Sequence, residues 1–440
     1  MIEYRNLRVA LLGAGSVGSE VASLLLAHGD ELAGRAGAGL ELIGIAVRDA
    51  GAKRQGDIPP ELFTTDAESL ILGADIVIEL IGGLEPARSY ILQALNSGAD
   101  VITGNKALLA THGPELFEAA EQVGAQLYYE AAVAGAIPII RPLRDSLAGD
   151  RINRILGIVN GTTNFILDRM DAFGQSQEDA LAAATELGYA EADPTADITG
   201  MDAAQKAAIL AGLAFHTSVP IADVYREGIT EISLAQVDAA RKAGYVVKLL
   251  AICERLTDQV TGTEGVSARV YPALIPIDHP LAAVRGVKNA VFIEAEAAGD
   301  LMFYGAGAGG RESASAVLGD LVSAARRHVI GGPGVAESHS SNLAVLPITA
   351  VITRYQITLS VLDRPGVLAA IATLLSQHGV SVENVVQSVR SLAPGDTVAT
   401  ATLVIGTHRA SEASLAATVE ALKSSEVVHA VTSVLRVEGS

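Results

Sequence analysis

Apolar and polar positions alternate along this chain in two rhythms. Arg8 to Leu12 run into an apolar strand, and Leu40 to Val47 ("LELIGIAV") and Ala74 to Ile81 ("ADIVIELI") give two more. Between the first two, "SEVASLLLAH" reads as a helix. "SGADVITGNKALLA" (Ser97 to Ala110) adds a short strand and a helix start, and "AQLYYEAAVAGAIPII" (Ala125 to Ile140) closes the region. Strand–helix alternation at this spacing predicts a parallel, doubly wound sheet, a Rossmann-like domain over residues 1–140.

Near residue 150 the rhythm changes. "INRILGIVNGTTNFIL" reads as strand, turn and helix, and helical patterns hold "SQEDALAAATELG" and "DAAQKAAILAGLAF". "SARVYPALIP" and "NAVFIEAEAAGDLMFYGAGAGG" are strand-rich, and the helix "SAVLGDLVSAARRH" completes a predicted α+β domain over 141–330. Gly331 to Asn342 ("GGPGVAESHSSN") has linker composition, and the predicted linker is 331–352. Residues 353–440 repeat strand–helix–strand twice. "YQITLSVLD", "RPGVLAAIATLLSQHG" and "VSVENVVQSV" form one half; "DTVATATLVIGT", "SEASLAATVEALKS" and "VVHAVTSVLRV" form the other. That βαββαβ order is the ferredoxin-like split arrangement. The fold class is α/β, with three predicted domains.

Composition narrows the picture. A chain of 440 residues suits two or three domains, and half of its residues are hydrophobic. Its 44 glycines and absent Trp suit tight α/β packing. The formal charge of −19 disfavours nucleic acid or anionic lipid as a partner. Cys253 is the one cysteine, so neither an intrachain disulfide nor a Cys-based zinc site can form. It lies in "KLLAICERL", an apolar pattern that predicts a buried structural thiol. "MIEYRNLRVA" is charged and unlike a signal peptide, and no apolar run approaches the ~18 residues of a membrane span. The expected location is the cytoplasm.

Candidate chemistry begins at "GAGSVG", Gly13 to Gly18, between a predicted strand and a predicted helix. This is the dinucleotide fingerprint. Gly13 allows the tight turn, Gly15 lets backbone approach a pyrophosphate, and Gly18 allows close helix packing. The N–H groups of Ser16, Val17 and Gly18 then face the anion. After the second strand, Arg48 can pair with a 2′-phosphate, which points to NADP; Asp49 would serve NAD. Lys106 follows the fourth strand, where ligands of open α/β sheets sit. Asn160, Gly161, Thr162 and Thr163 form a strand-to-helix turn that either receives a polar substrate or simply caps the helix.

"GYAEADPTADITGMDAAQK" (Gly188 to Lys206) concentrates four acids. Asp202 and Lys206 are spaced i, i+4 and share a helix face. The stripe continues to apolar Ile209 and Leu213, so the pair is expected to point inward, where an acid and a lysine suit proton transfer. A metal is disfavoured on this segment, which has no His and no EF-hand glycine. Asp193 and Asp197 either order the "DPTAD" loop, the preferred reading, or support the site.

Together, "GNKALLA", "GIVNGTTNFIL", "LGYAEADPTADITGMDAAQK" and "NAVFIEAEAAGDLMFYGAGAGG" resemble homoserine dehydrogenases over about the first 330 residues. "DRPGVLAAIATLLSQHGVSVENVVQS" resembles an ACT domain, a module that commonly binds amino acids. The resemblance implies reversible NAD(P)H-dependent reduction of L-aspartate 4-semialdehyde to L-homoserine, in threonine, methionine and isoleucine biosynthesis. It implies that Lys206 is the general acid/base, Asp202 its partner and a substrate ligand, and Glu191 a substrate ligand. Lys106 would contact cofactor and substrate, Asn160 and Thr162 would line the substrate site, and Gly188 and Gly307 would lie by the cofactor. It also implies a monovalent cation, sodium, near "EAAVAGAI", at Glu130, Val133, Gly135 and Ile137, the last three through backbone carbonyls. The family's "TAN" is here "TGN", with Gly104. A homodimer or homotetramer is expected, with L-threonine as effector at the "LDRPGVL" loop of paired ACT domains.

Two rivals are disfavoured. Aspartate-semialdehyde dehydrogenase needs a nucleophilic cysteine, which Cys253 does not suit. Phosphoglycerate dehydrogenase, which can share an ACT tail, carries its cofactor fingerprint in mid-chain. A non-catalytic amino-acid sensor remains a different class, disfavoured because Lys106, Asp202 and Lys206 are all present.

Overall fold

The computed structural model describes residues 5–52, 54, 57–259, 261–332, 341–389 and 400–439. Residues 333–340 of the predicted linker and 396–399 of the predicted tail strand lie outside the described residues.

The N-terminal strands are β1 (Leu7–Leu12), β2 (Leu40–Ala46), β3 (Phe63–Thr64), β4 (Ile76–Glu79), β5 (Asp100–Thr103) and β6 (Leu127–Tyr128). Among the described residues they form one parallel sheet in the order β3-β2-β1-β4-β5-β6, the doubly wound order. Helices α1 (Ser16–Ala27), α2 (Gly29–Ala36), α3 (Ala67–Leu72), α4 (Ala87–Asn96) and α5 (Lys106–Val123) connect them. Successive strand residues face opposite sides. Val9 and Leu11 pack with α1 and α2, while Ala10 and Leu12 pack with α3, α4 and α5.

The second region carries β7 (Ile152–Ile158), β8 (Tyr225–Arg226), β9 (Tyr245–Thr257), β10 (Glu264–Pro276), β11 (Lys288–Ala295) and β12 (Gly299–Ala306). Its helices are α6 (Gly161–Phe173), α7 (Gln177–Glu186), α8 (Thr195–Ile198), α9 (Met201–Phe215), α10 (Leu234–Lys242) and α11 (Gly310–Ile330). "KLLAICERL" lies in β9, which pairs antiparallel with β10 along its whole length and is covered on both faces. A strand buried on both sides reads as a continuous apolar run. Cys253 is fully buried there; burial pushes its thiol up to about 12, which makes it inert.

One helix sits elsewhere than its sequence neighbours suggest. α11 was expected to complete the second region, yet Ala314, Val317, Leu321, Ala324 and Ala325 join the cluster of Val9, Leu11 and Val21 on the first sheet. Arg327 of α11 also pairs with buried Asp100 of β5. The apolar stripe tells which side of a helix is buried, not which sheet buries it.

The tail adds β13 (Ala344–Val345), β14 (Ile352–Leu362), β15 (Val382–Val389), β16 (Thr400–Thr407), β17 (Ala410–Ser411) and β18 (Val428–Val437), with helices α12 (Val367–Gln377) and α13 (Glu412–Lys423). The helices cover one face, packing Ile371, Leu375, Leu415 and Leu422 on Ile357, Leu359, Leu403 and Ile405. Each fully buried aliphatic side chain of this kind stabilises by roughly 1.5–3 kcal/mol. The tail sheet is not separate: β18 pairs with β10 through Ala273–Arg436 and Leu274–Val437, so one sheet runs β12-β11-β7-β9-β10-β18-β14-β16-β15. Among the described residues, no helix is long and apolar enough to cross a membrane.

Candidate active site

A cleft of about 790 Å³ opens beyond the carboxyl ends of β1, β4 and β5, between the two sheets. Its nucleotide end is the glycine turn. Gly13 has φ +101°, and a Cβ there would lie 2.7 Å from the Leu80 carbonyl oxygen. A Cβ on Gly18 would overlap the Gly13 carbonyl, whereas Gly15 faces open space. Only the middle position leaves room for a ligand against the backbone, as a pyrophosphate site requires. Ser16, Val17 and Gly18 line the cleft at the start of α1, which has no side-chain cap. Gly13 and Arg48 do not line it. Arg48 is exposed with no partner among the described residues, while Asp49 accepts a hydrogen bond from Gly51 N at 2.8 Å.

The proton-transfer end gathers around Asp202. The first turn of α9 presents it one turn before Lys206, and both are buried. Lys206 Nζ donates to Asp202 Oδ2 at 2.7 Å and to the Val159 carbonyl at 2.7 Å. Lys106 Nζ lies 3.2 Å from Asp202 Oδ1, and Asn160 Nδ2 donates to Asp202 Oδ2 at 3.0 Å. Burial alone would raise the Asp202 carboxyl, but the ammonium groups of Lys206 and Lys106, with the hydrogen bonds from Lys206 and Asn160, hold it well below the usual carboxylate range. Asn105 caps α5 through Leu108 N, and Lys106 at the start of that helix is half-buried and paired with Asp202.

Asn160 caps its helix, one of the two readings left open at its turn, and also reaches the acids of the cleft. Its Oδ1 caps α6 by accepting from Thr163 N at 2.8 Å, and its Nδ2 serves Asp202 and, at 2.6 Å, Asp197. Thr162 lines the cleft and donates to the Tyr189 carbonyl at 2.8 Å. Glu191 lines it, exposed and without a partner among the described residues. Gly188 and Gly307 line it too. Asp193 accepts from Thr195 N at 3.1 Å and orders its loop as expected. Asp197 takes the alternative: it lines the cleft and holds Asn160.

Glu130, Val133, Gly135 and Ile137 cluster below the Gly307 loop. A Cβ on Gly135 would lie 2.6 Å from the Gly307 carbonyl, and Ala136 N donates to the Ala306 carbonyl at 3.0 Å. The Glu130 carboxylate accepts from Ile139 N, Ile140 N, Arg141 N and Arg141 Nε, so its four lone-pair sites are taken. A cation here would need carbonyl donors. The carbonyls of Val133, Gly135 and Ile137 accept no hydrogen bond among the described residues, which suits a hard monovalent cation.

Some supporting residues carried no sequence signal. Buried Glu79 accepts from Ile81 N, Gly82 N and Thr103 Oγ1, fixing two of the loops that line the cleft. Asn289 is fully buried, its amide packs where a Gly307 side chain would stand, and neither polar atom has a partner among the described residues. Polar residues inside strands look alike in sequence, whether or not they later meet a loop.

Comparison with known proteins adds to this geometry. The family profile described as homoserine dehydrogenase matches residues 138–322, that of the homoserine dehydrogenase NAD binding domain 13–130, and that of the ACT domain 355–427. A Corynebacterium glutamicum homoserine dehydrogenase is 54% identical over 98% of this chain and 95% of its own. A solved homoserine dehydrogenase from Thiobacillus denitrificans superposes with a TM-score of 0.89 at 37% identity, covering 99% of each chain. A hyperthermophilic archaeal homoserine dehydrogenase in complex with NADPH gives 0.61 at 27% identity, over 74% of this chain and 99% of that one.

Proposed function

Because the chain belongs to the homoserine dehydrogenase family and is an NAD(P)-dependent oxidoreductase, we propose that Lys206 moves the proton as L-aspartate 4-semialdehyde and L-homoserine interconvert. The observation that carries this is the Asp202 carboxylate bridging Lys206 and Lys106 in the cleft that the glycine turn opens.

A nicotinamide nucleotide held at the glycine turn of Gly13 to Gly18 would supply hydride for the aldehyde carbon. Negative charge then develops on the substrate oxygen, and an ammonium can stabilise and protonate it. An ammonium has three N–H donors, and two of those on Lys206 are taken by Asp202 and Val159. The third is left for the substrate oxygen. In oxidation the same nitrogen accepts the alcohol proton and must first be neutral, so that direction favours alkaline pH. Glu191, unpartnered at the rim, suits the substrate's α-ammonium. Lys106, Asn160, Thr162 and Asp202 complete the substrate wall, with Gly15, Ser16, Val17, Gly18, Gly188 and Gly307 on the nucleotide side and Gly13 shaping the turn behind them.

Unpartnered Arg48, with Asp49 engaged in its own turn, supports NADP over NAD. Sodium at the carbonyls of Val133, Gly135 and Ile137, with Glu130 contributing backbone, would brace the loop that carries Gly307. Further parts of this reading are cytoplasmic location, a role in threonine, methionine and isoleucine biosynthesis, a homodimer or homotetramer, and L-threonine feedback through the tail. We assign 1–140 to nucleotide, 141–330 to substrate, 331–352 to the linker and 353–440 to regulation.

The test is homoserine-dependent reduction of NADP⁺ and NAD⁺ by purified protein at alkaline pH with sodium present, before and after Arg48→Ala. Activity with a preference for NADP⁺ that Arg48→Ala erodes is expected. An unchanged preference sinks the Arg48 assignment, and no activity at all would favour the sensor. Titrating L-threonine into the same assay tests the feedback; an unaffected rate removes it.

A further inference from the structure

The last strand of the tail delivers a charged side chain to the loop on which the proton-transfer helix rests. Arg436 of β18 is largely buried, with its guanidinium 4.4 Å from the Tyr271 ring centroid and 5.6 Å from those of Tyr225 and Tyr355. It donates to Glu412 of α13 (Nε at 3.1 Å, Nη2 at 2.5 Å) and to Glu227, which follows β8 (Nη1 to Oε2 at 3.0 Å). Tyr355 and Tyr225 donate their hydroxyls to Glu412 and Glu227, so each carboxylate is aimed.

Glu227 begins a segment with no slack. Its N–H bonds the Val270 carbonyl at 2.8 Å. A Cβ on Gly228 would overlap the Ile198 carbonyl, and Ile229 N donates to that same carbonyl at 2.8 Å. A Cβ on Gly200 would stand 3.3 Å from the Glu227 carbonyl. Residues 198–200 are the last residue of α8 and the two-residue turn before α9. That turn carries Asp197 just before it and Asp202 just after it, and both hold Asn160. A shift of the Glu227 segment must therefore be absorbed by the turn that seats Asp202 and Lys206, because close-packed interiors transmit displacement.

We propose that Glu227 is a positioning residue for the Asp202–Lys206 pair, and that Arg436 of the tail domain sets its place. The tail's last strand thus acts on proton transfer through an ion pair and the backbone contacts between residues 227–229 and 198–200, without reaching the nucleotide. The inference rests on the role given above to Lys206 and extends it to the tail; it requires no effector.

The experiment uses the full chain and reads kcat, the KM for NADP⁺ and Tm side by side. In Glu227→Gln, kcat falls by roughly 3- to 10-fold while the KM for NADP⁺ holds. In Gly228→Ala, which presses on Ile198 directly, the same split appears. Combining Glu227→Gln with Arg436→Met lowers kcat no further than Arg436→Met alone, because both remove one link. An unchanged kcat in Glu227→Gln, with or without a fall in Tm, overturns the proposal, as does a matching loss of nucleotide affinity or simple additivity with Arg436→Met. A wild-type enzyme inactive on homoserine would overturn the proposed function as well, so the two failures are distinct.

Discussion

Two of the buried charge clusters among the described residues differ in access rather than in composition. In the cleft, Asp202 meets Lys206 and Lys106, and the Lys106 side chain is 39% exposed. At the tail junction, Arg436 meets Glu412 and Glu227. Beside it, Glu438 accepts from Arg154, and from Tyr271 at 2.5 Å, over Arg269, whose side chain is wholly buried. Tyrosine rings and strands close over Arg436, Glu412, Arg269 and Glu438, and Glu227 at the edge of this cluster reaches solvent. The first keeps an N–H of Lys206 and the whole Glu191 carboxylate available to a ligand. Similar ions serve cohesion where they are sealed and chemistry where a cavity reaches them.

Breaking the sealed cluster should cost most in stability. Arg436→Met leaves the Glu412 carboxylate buried without its cation, and a loss of about 3–5 kcal/mol is expected in denaturant unfolding. A midpoint equal to wild type would mean that the junction does not hold the tail. Breaking the open cluster should cost most in rate. Asp202→Asn is expected to lower kcat/KM on the order of 100-fold, the worth of a hydrogen bond to a charged group, in a protein still folded at 25 °C.

The same substitution carries a pH signature. The Asp202 carboxyl is depressed in the fold, so its contribution to stability is present above the unfolded value near ~3.9 and is lost as pH falls toward the folded one. The stability gap between wild type and Asp202→Asn should therefore narrow below about pH 4. A gap that is flat from pH 3 to 7 would contradict the depressed carboxyl.

A smaller effect sharpens the comparison at the nucleotide side. Gly307→Ala drives a methyl into the Asn289 amide, and overpacking of this kind costs typically about 1–3 kcal/mol. The KM for NADP⁺ should rise by about 10-fold, and Asn289→Ala in the same chain should restore part of it. No recovery in the double variant would separate Asn289 from the loop.

Much of this was legible along the chain, for local reasons. The i, i+4 spacing of Asp202 and Lys206, continued by Ile209 and Leu213, placed the pair on a buried face, and α9 buries Asp202, Lys206 and Leu213 there, with Ile209 half-buried. The glycine turn and the repeated strand–helix–strand tail are also short-range patterns. What could not be read depends on distant partners. Glu227 and Arg436 are 209 positions apart. Asp197 became part of the site only because Asn160, 37 positions away, turns its amide toward it. α11 shows its apolar stripe plainly but not the sheet that takes it. At Glu130 the family motif named the residue, whereas the carboxylate faces four local donors, so any role in holding a cation passes to backbone atoms.

The central claim is that Lys206 moves the proton, and the most direct measurement is turnover by Lys206→Ala beside its affinity for NADP⁺. General acid–base groups contribute roughly 10²- to 10⁴-fold, so kcat for homoserine oxidation should fall by that order while NADP⁺ binding by calorimetry stays at the wild-type value. Turnover near wild type in the alanine variant would contradict the account.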